Sequence, residues 1–404
     1  MKILLKFIIC FFLVLIALNV VSQNYKIEGK IVTSKDIKTG ADQTDVYLPM
    51  LKSKNIAIVA NQTSVINKTN LVDSLLSLKI NVKKVFCPEH GFRGDVEAGA
   101  KIDNKTDVKT GLPIISLYGE NKKPKQEDLK GLDVIIFDIQ DVGVRFYTYI
   151  STLNYVLEAC AENDILMIVL DRPNPNGYYV DGPVLNPKFS SFVGMHAVPV
   201  VYGMTIGEYA LMINAEKWLT NQKKCNLNVI KIINYKHSDY YILPVKPSPN
   251  LTNMNAVYLY PSLCLFEGTV VSIGRGTNKP FQIVGHPLFE NTDYNFTPVS
   301  IKGMSENPPY KDQICNGYDL SEFSVSIIRS EAKLNLFWLI DSYKRLSSKT
   351  KFFNDFFDKL AGNDLLRKQI VEGKSEDEIR KKWDADLKNF KEIRKKYLLY
   401  TDFE

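Results

Sequence analysis

Between about residues 54 and 235, short apolar runs alternate with amphipathic stretches. The runs at 56–60, 82–87, 113–117, 134–138, 167–170 and 229–233 have the length and side-chain content of strands. Two of them, VIIF and MIVL, are apolar at every position, as strands must be when helices cover both faces of a sheet. Helix-like stretches at 71–78, 126–132, 147–163 and 205–219 fall between them. Strand–helix alternation of this kind predicts an α/β fold built on a Rossmann-like, doubly wound and mostly parallel sheet.

In such sheets ligands bind beyond the carboxyl ends of the strands. Here those ends read Asn61-Gln62-Thr63, Pro88-Glu89-His90-Gly91, Tyr118-Gly119, Asp138-Ile139-Gln140-Asp141 and Asp171-Arg172-Pro173-Asn174. Five successive ends therefore place polar or ionisable groups on one rim. No G-x-G-x-x-G follows the first strand, so a dinucleotide is not expected there. The proline-rich VKPSPN segment at 245–250 reads as a boundary between a Rossmann-like domain (23–245) and a smaller α/β domain (246–404), with a cleft between them. In the second domain, 269–273 reads as a strand, GRGT follows at 274–277, and 278–310 reads as irregular. Ser375 and Glu378 form a capping-box pattern, predicting a helix that reaches about Tyr400. Its lysines and arginines alternate with acids, the pattern of a solvated face.

Length, charge and cysteine content narrow the classes. The 404 residues are enough for about two domains. The formal charge of +6 is spread along the chain, and no basic arm points to nucleic acid. Lys2 and Lys6 precede an apolar run from Phe7 to Val21 that ends at Ser22. This is the layout of an export signal cleaved near Ser22–Gln23, and the run is short for a retained membrane span. The expected location is the periplasm or the medium, with no membrane attachment after cleavage. Cys87, Cys160, Cys225, Cys264 and Cys315 are widely spaced and odd in number, a pattern that promises neither disulfides nor a zinc site.

There is no G-x-S-x-G, H-E-x-x-H, P-loop or C-x-x-C. Of the four histidines only His90 stands on the rim, so a multi-histidine metal centre is not expected. What remains are carboxylates, arginines and tyrosines, the equipment of glycoside cleavage. That reaction needs an acid for the leaving oxygen and a second group for the oxocarbenium-like centre. Glu89, beside His90 and a glycine, is the candidate acid, with a loop-bracing carboxylate as the plain alternative. Asp138, Asp141 and Asp171 are candidate partners, although aspartates at strand ends often cap helices. Arg145, in VGVRFYTY with Tyr147 and Tyr149, is placed to hold a carboxylate ligand or to pair with Asp138 or Asp141. Arg93, Arg172 and Arg275 carry the same two readings, and Tyr118 and Phe146 offer an apolar wall for a sugar ring.

The blocks CPEHGFRGDVEAGA, TGLPIISLYG, DVIIFDIQDVGVRFYTYI, LDRPNPNG, YGMTIGEYA, PSPNL and LFEGTVVSIGRGTNKPF resemble, in the same order, the exo-β-N-acetylmuramidase (NamZ) family of peptidoglycan hydrolases. The likeness runs from about residue 54 to the final RKKYLLY. It implies a Rossmann-like domain with a smaller partner, a cleft between them, and release of N-acetylmuramic acid from the non-reducing end of β-1,4-linked fragments, with no metal or other cofactor. It also implies that Glu89 is the acid, that His90, Asp138, Gln140, Asp141 and Arg145 surround it, and that Glu267 and Arg275 reach across from the second domain.

Muramic acid carries a lactyl carboxylate. A site that selects it over N-acetylglucosamine should hold a cation that the wrong sugar leaves unpaired. Arg93, Arg145 and Arg275 are the candidates. An exported solute-binding protein, which also closes two α/β lobes on a cleft, is the competing reading. Such a protein has no use for an acid beside a histidine.

Overall fold

Side chains that alternate between two buried layers set the architecture. The computed structural model describes residues 31–32, 37–94 and 105–404, and the expected export leader lies outside them. The main sheet contains β1 (Ile56–Ala60), β2 (Val82–Cys87), β3 (Lys105–Thr106), β4 (Pro113–Ser116), β5 (Val134–Asp138), β6 (Leu166–Leu170) and β7 (Leu227–Ile230). Their order is β7-β6-β5-β1-β2-β4-β3. Every neighbouring pair is parallel except the edge strand β3, which runs antiparallel to β4. All six expected strands are present within a residue or three of the predicted bounds; β3 was not foreseen. It lacks any apolar run.

Along β1, Ile56, Ile58 and Ala60 pack with α1 (Thr44–Leu51) and α2 (Leu71–Ser77) through Tyr47, Leu51, Leu71, Val72 and Leu75. Ala57 and Val59 face the opposite layer, which α3 (Gln126–Leu129), α4 (Tyr149–Glu162) and α5 (Ile206–Ala215) cover. Helices on both faces explain why β1 and β5 are buried at every position.

The second lobe holds an antiparallel sheet of β8 (Ile283–His286), β9 (Tyr294–Phe296) and β10 (Cys315–Asp319) in the order β8-β10-β9. Around it lie α6 (Met254–Leu263), α7 (Val325–Glu331), α8 (Phe337–Leu346), α9 (Phe357–Ala361), α10 (Leu365–Val371), α11 (Glu376–Arg380) and α12 (Asp384–Lys395). The apolar layer over α4 and α5 continues into this lobe through Val257, Leu263, Phe266, Leu339 and Phe357. One shared core thus fixes the cleft geometry.

Three expectations are corrected here. Residues 269–273 are not a strand: Thr269 and Ser272 make only isolated bridges, to Phe353 and Gly285. The run is apolar because Val271 and Ile273 are buried, and burial alone does not make a short run a strand. The stretch 278–310 is not irregular throughout, since it contains β8 and β9; the glycine in IVGH hides the period. The capping box at Ser375 and Glu378 is present, but its helix ends at Arg380. Trp383 turns into the core there, and a separate helix starts at Asp384. The five described cysteines are buried and unpaired. Among the described residues no helix is long and apolar enough to cross a membrane.

Candidate active site

A cavity of about 190 Å³ opens beyond the ends of β2 and β4. Larger surface grooves exist, including one of about 790 Å³ beside α3. That groove does not join a strand-end carboxylate to an aromatic wall. A space this small, below the ~300–1,000 Å³ of drug-sized sites, suits a single sugar ring better than a polymer.

Glu89, His90 and Tyr118 enter from the strand ends. His90 and Gly91 both have positive φ, 72° and 76°, which turns the chain sharply after β2. A histidine in that region is backbone strain held at the rim. The Thr148 hydroxyl donates to Glu89 Oε2 at 3.1 Å. Tyr118 also donates to Glu89, and burial, with that carboxylate beside it, pushes the phenol well above its ordinary value. Glu89 is thus held by two hydroxyl donors on one wall.

The facing wall comes from the second lobe. Arg275 donates Nε and Nη2 to Glu267 Oε1 at 2.8 and 2.5 Å, with side chains 21% and 25% exposed. Burial pulls the guanidinium down, but the Glu267 carboxylate overrides it and holds Arg275 above its ordinary value. Nη1 has no partner among the described residues. Gly274 and Gly276 flank Arg275 at φ 77° and 80°, and a Cβ on either would meet Ile283 or Pro308 at 2.4–2.5 Å. Only glycine permits this turn, which aims Arg275 into the cavity. An edge-to-face aromatic series links the walls: Phe146 to Tyr260 at 5.5 Å, Tyr260 to Phe281 at 4.9 Å, and the Arg275 guanidinium 5.2 Å over Phe281.

Several expected site residues are not on the cavity wall. Asp138 is fully buried in a two-pronged ion pair with Arg172, at 2.6 and 2.9 Å, and Arg172 also donates to the Val65 carbonyl. Asn61 donates to the Tyr149 hydroxyl at 2.9 Å, and Gln140 bonds the Asp141 and Pro173 carbonyls. These groups fill the crevice between β1 and β5, where the strand order reverses and a ligand would otherwise sit. Asp171 takes Thr205, Gly207 and Tyr400 as donors, so it caps α5 and docks the chain end. Arg93 is shared between Asp107 and Asp73. Arg145, completely buried, donates to the carbonyls of Pro183, Val198, Leu360 and Ala361 and ties the lobes together. With no carboxylate beside it, burial pulls its guanidinium down to about 9.

Asp141 is buried too, accepting from the Tyr202 hydroxyl and from the Gly143 amide at 2.8 Å. Burial pushes its carboxyl up to about 6, against the pull of Tyr202 and the amides. The folded chain therefore holds this proton more tightly than the unfolded one, and stability falls as pH rises from about 4 through 6. Lowering pH from about 8 to about 5 is expected to raise the Asp141 contribution toward its full value of roughly 2–3 kcal/mol. Urea unfolding of Asp141→Asn should show that part of the pH dependence flattened. An unaltered profile would count against this assignment.

Of the expected site residues, Glu89, His90, Tyr118, Phe146, Tyr147, Glu267 and Arg275 come together. The cavity also uses Thr148, Tyr149, Ser248, Asn250, Tyr260 and Phe281. Strand-end reasoning does not find these. The available signal was PSPN itself, a polar segment crossing between lobes.

Residues 56–255 match the model of the exo-β-N-acetylmuramidase NamZ N-terminal domain, and residues 258–400 that of its C-terminal domain. This chain belongs to the exo-β-N-acetylmuramidase NamZ family. It is 38% identical to the peptidoglycan β-N-acetylmuramidase NamZ of Bacillus subtilis strain 168, over 90% of this chain and 91% of that one. Two crystal structures of DUF1343 family proteins from Bacteroides fragilis NCTC 9343 share the fold. One is 49% identical with a TM-score of 0.84, the other 30% with 0.76. Each alignment covers 91% of this chain and 99% of the other. NamZ membership spans both lobes, and with them both walls of the cavity.

Proposed function

We propose that this chain is an exo-acting β-N-acetylmuramidase that hydrolyses the β-1,4 bond of peptidoglycan fragments and releases N-acetylmuramic acid from their non-reducing ends. The observation that carries this reading is a small, aromatic-walled cavity that joins Glu89 to the Glu267–Arg275 pair. Glu89 protonates the departing glycosidic oxygen. Glu267 faces the site as an anion held by Arg275, suited to stabilising the cationic sugar. Of the two readings open from sequence, family membership favours the hydrolase.

Arg275 also recognises the lactyl carboxylate. Arg93 and Arg145 are committed elsewhere, whereas Arg275 lines the cavity with Nη1 unused among the described residues. Release of a chromophore from a β-N-acetylmuramide, but not from the matching β-N-acetylglucosaminide, tests activity and selectivity together. Arg275→Met is expected to shrink the muramide preference by about 10- to 100-fold, the worth of one charge-assisted hydrogen bond. Equal cleavage of both sugars by the unaltered protein would remove the lactyl argument and leave a hexosaminidase.

The work is done outside the cytoplasm, in the periplasm or the medium, on wall fragments released during turnover. Support comes from the basic, apolar and small-residue layout of residues 1–22. N-terminal sequencing of the exported protein should begin at Gln23.

A further inference from the structure

Asn250 ends the KPSPN segment, is 3% exposed, and belongs to the cavity wall. Its Nδ2 donates to the Met304 carbonyl at 2.9 Å. That bond fixes the orientation of the amide, because a flip would set oxygen against oxygen. The other end of the group, Oδ1, is buried with no donor among the described residues. Other buried amide oxygens share that condition, those of Gln140, Asn154 and Asn176 among them, but their side chains do not line the cavity.

The segment that carries Asn250 is braced. The Pro247 carbonyl accepts from Tyr147 at 2.8 Å, from Gln62 at 3.1 Å and from Tyr149 at 3.4 Å. The unused acceptor is therefore held in place before any ligand arrives. Leu251, Tyr147, Tyr260 and Phe281 give the same cavity apolar surface. An acceptor set among apolar surfaces suits an uncharged donor that carries its own apolar group. A secondary amide N–H with an acetyl methyl has that chemistry.

Resting on the muramidase reading, we propose that Asn250 Oδ1 accepts the N–H of the substrate's 2-acetamido group and makes this cavity selective for N-acylated sugars. Because the amide is planar and trans, holding its N–H also fixes the direction of its carbonyl oxygen relative to the sugar ring. Asn250 is thus a specificity and positioning residue.

The test compares a chromogenic β-N-acetylmuramide with its 2-O-acetyl counterpart, which has nearly the same shape but no N–H. Calorimetric binding of the two free sugars runs alongside. The unaltered protein should prefer the amide by about tenfold or more in both measurements, and Asn250→Ala should lose that preference. Asn250→Asp keeps an acceptor oxygen but cannot donate to Met304, so it should keep the preference even where it weakens the fold. If Asn250→Ala slows both substrates equally and leaves the preference intact, the side chain merely props the Met304 loop and the proposal is overturned. If the alanine variant does not fold, loss of preference in Asn250→Asp overturns it instead. Failure of the muramidase reading shows separately, as an unaltered protein that cleaves neither glycoside. In that case the binding preference alone decides the role of Asn250.

Discussion

Glu89→Gln is expected to lower kcat on a muramyl-N-acetylglucosamine disaccharide by roughly 10²–10⁴-fold, with KM shifted by no more than about threefold. The replacement keeps the shape of the side chain and an oxygen for the Thr148 hydroxyl, which donates to Glu89 at 3.1 Å. It removes only the proton that the leaving sugar needs. An aryl muramide with a good leaving group needs that proton less, so its loss should be much smaller. This split between substrates is the diagnostic result. Equal losses on both would remove Glu89 from the acid role and give it the loop-bracing part. Full activity on the disaccharide would remove it from the chemistry altogether.

Asp138→Ala should do the reverse, costing stability while sparing the chemistry. The carboxylate is fully buried and meets Arg172 at 2.6 and 2.9 Å. Without it, a guanidinium that is 2% exposed is left charged in the interior. Breaking one side of such a pair costs roughly 3–5 kcal/mol. For a chain of this size that is a fall in Tm of roughly 4–6 °C, readable by calorimetry. Asp138→Ala combined with Arg172→Met should recover much of the loss, since the stranded charge goes with the second substitution. At a temperature where the single variant is folded, kcat should stay within a few-fold of the unaltered protein. A stable Asp138→Ala protein with kcat down by orders of magnitude would restore Asp138 to the reacting centre.

The two carboxylates share one local setting. Both stand at the carboxyl end of a strand in a parallel sheet, which strand periodicity locates well. That periodicity comes from local burial: a strand covered on both faces is apolar at each position, and β1 and β5 are legible for that reason. The capping box at Ser375 was legible too, because its hydrogen bonds span three residues. Residues 269–273 carry a strand's apolar trace without forming one, because burial against a neighbouring lobe and burial in a sheet leave the same pattern.

Chain order therefore determined the doubly wound sheet, the rim of strand ends and the place of Glu89 on that rim. Motif order determined the family. Tertiary structure alone decided which rim groups face a ligand. Asp138, Gln140 and Asp171 are consumed by Arg172, Pro173 and Tyr400, partners that lie 33 to 229 residues away in the chain. It also decided that Arg275 rather than Arg145 lines the cavity, and that Asn250 enters the wall. The physical reason is that a side chain's role depends on who satisfies its charge and hydrogen bonds. Those partners are set by packing between lobes, over distances on which no local pattern reports.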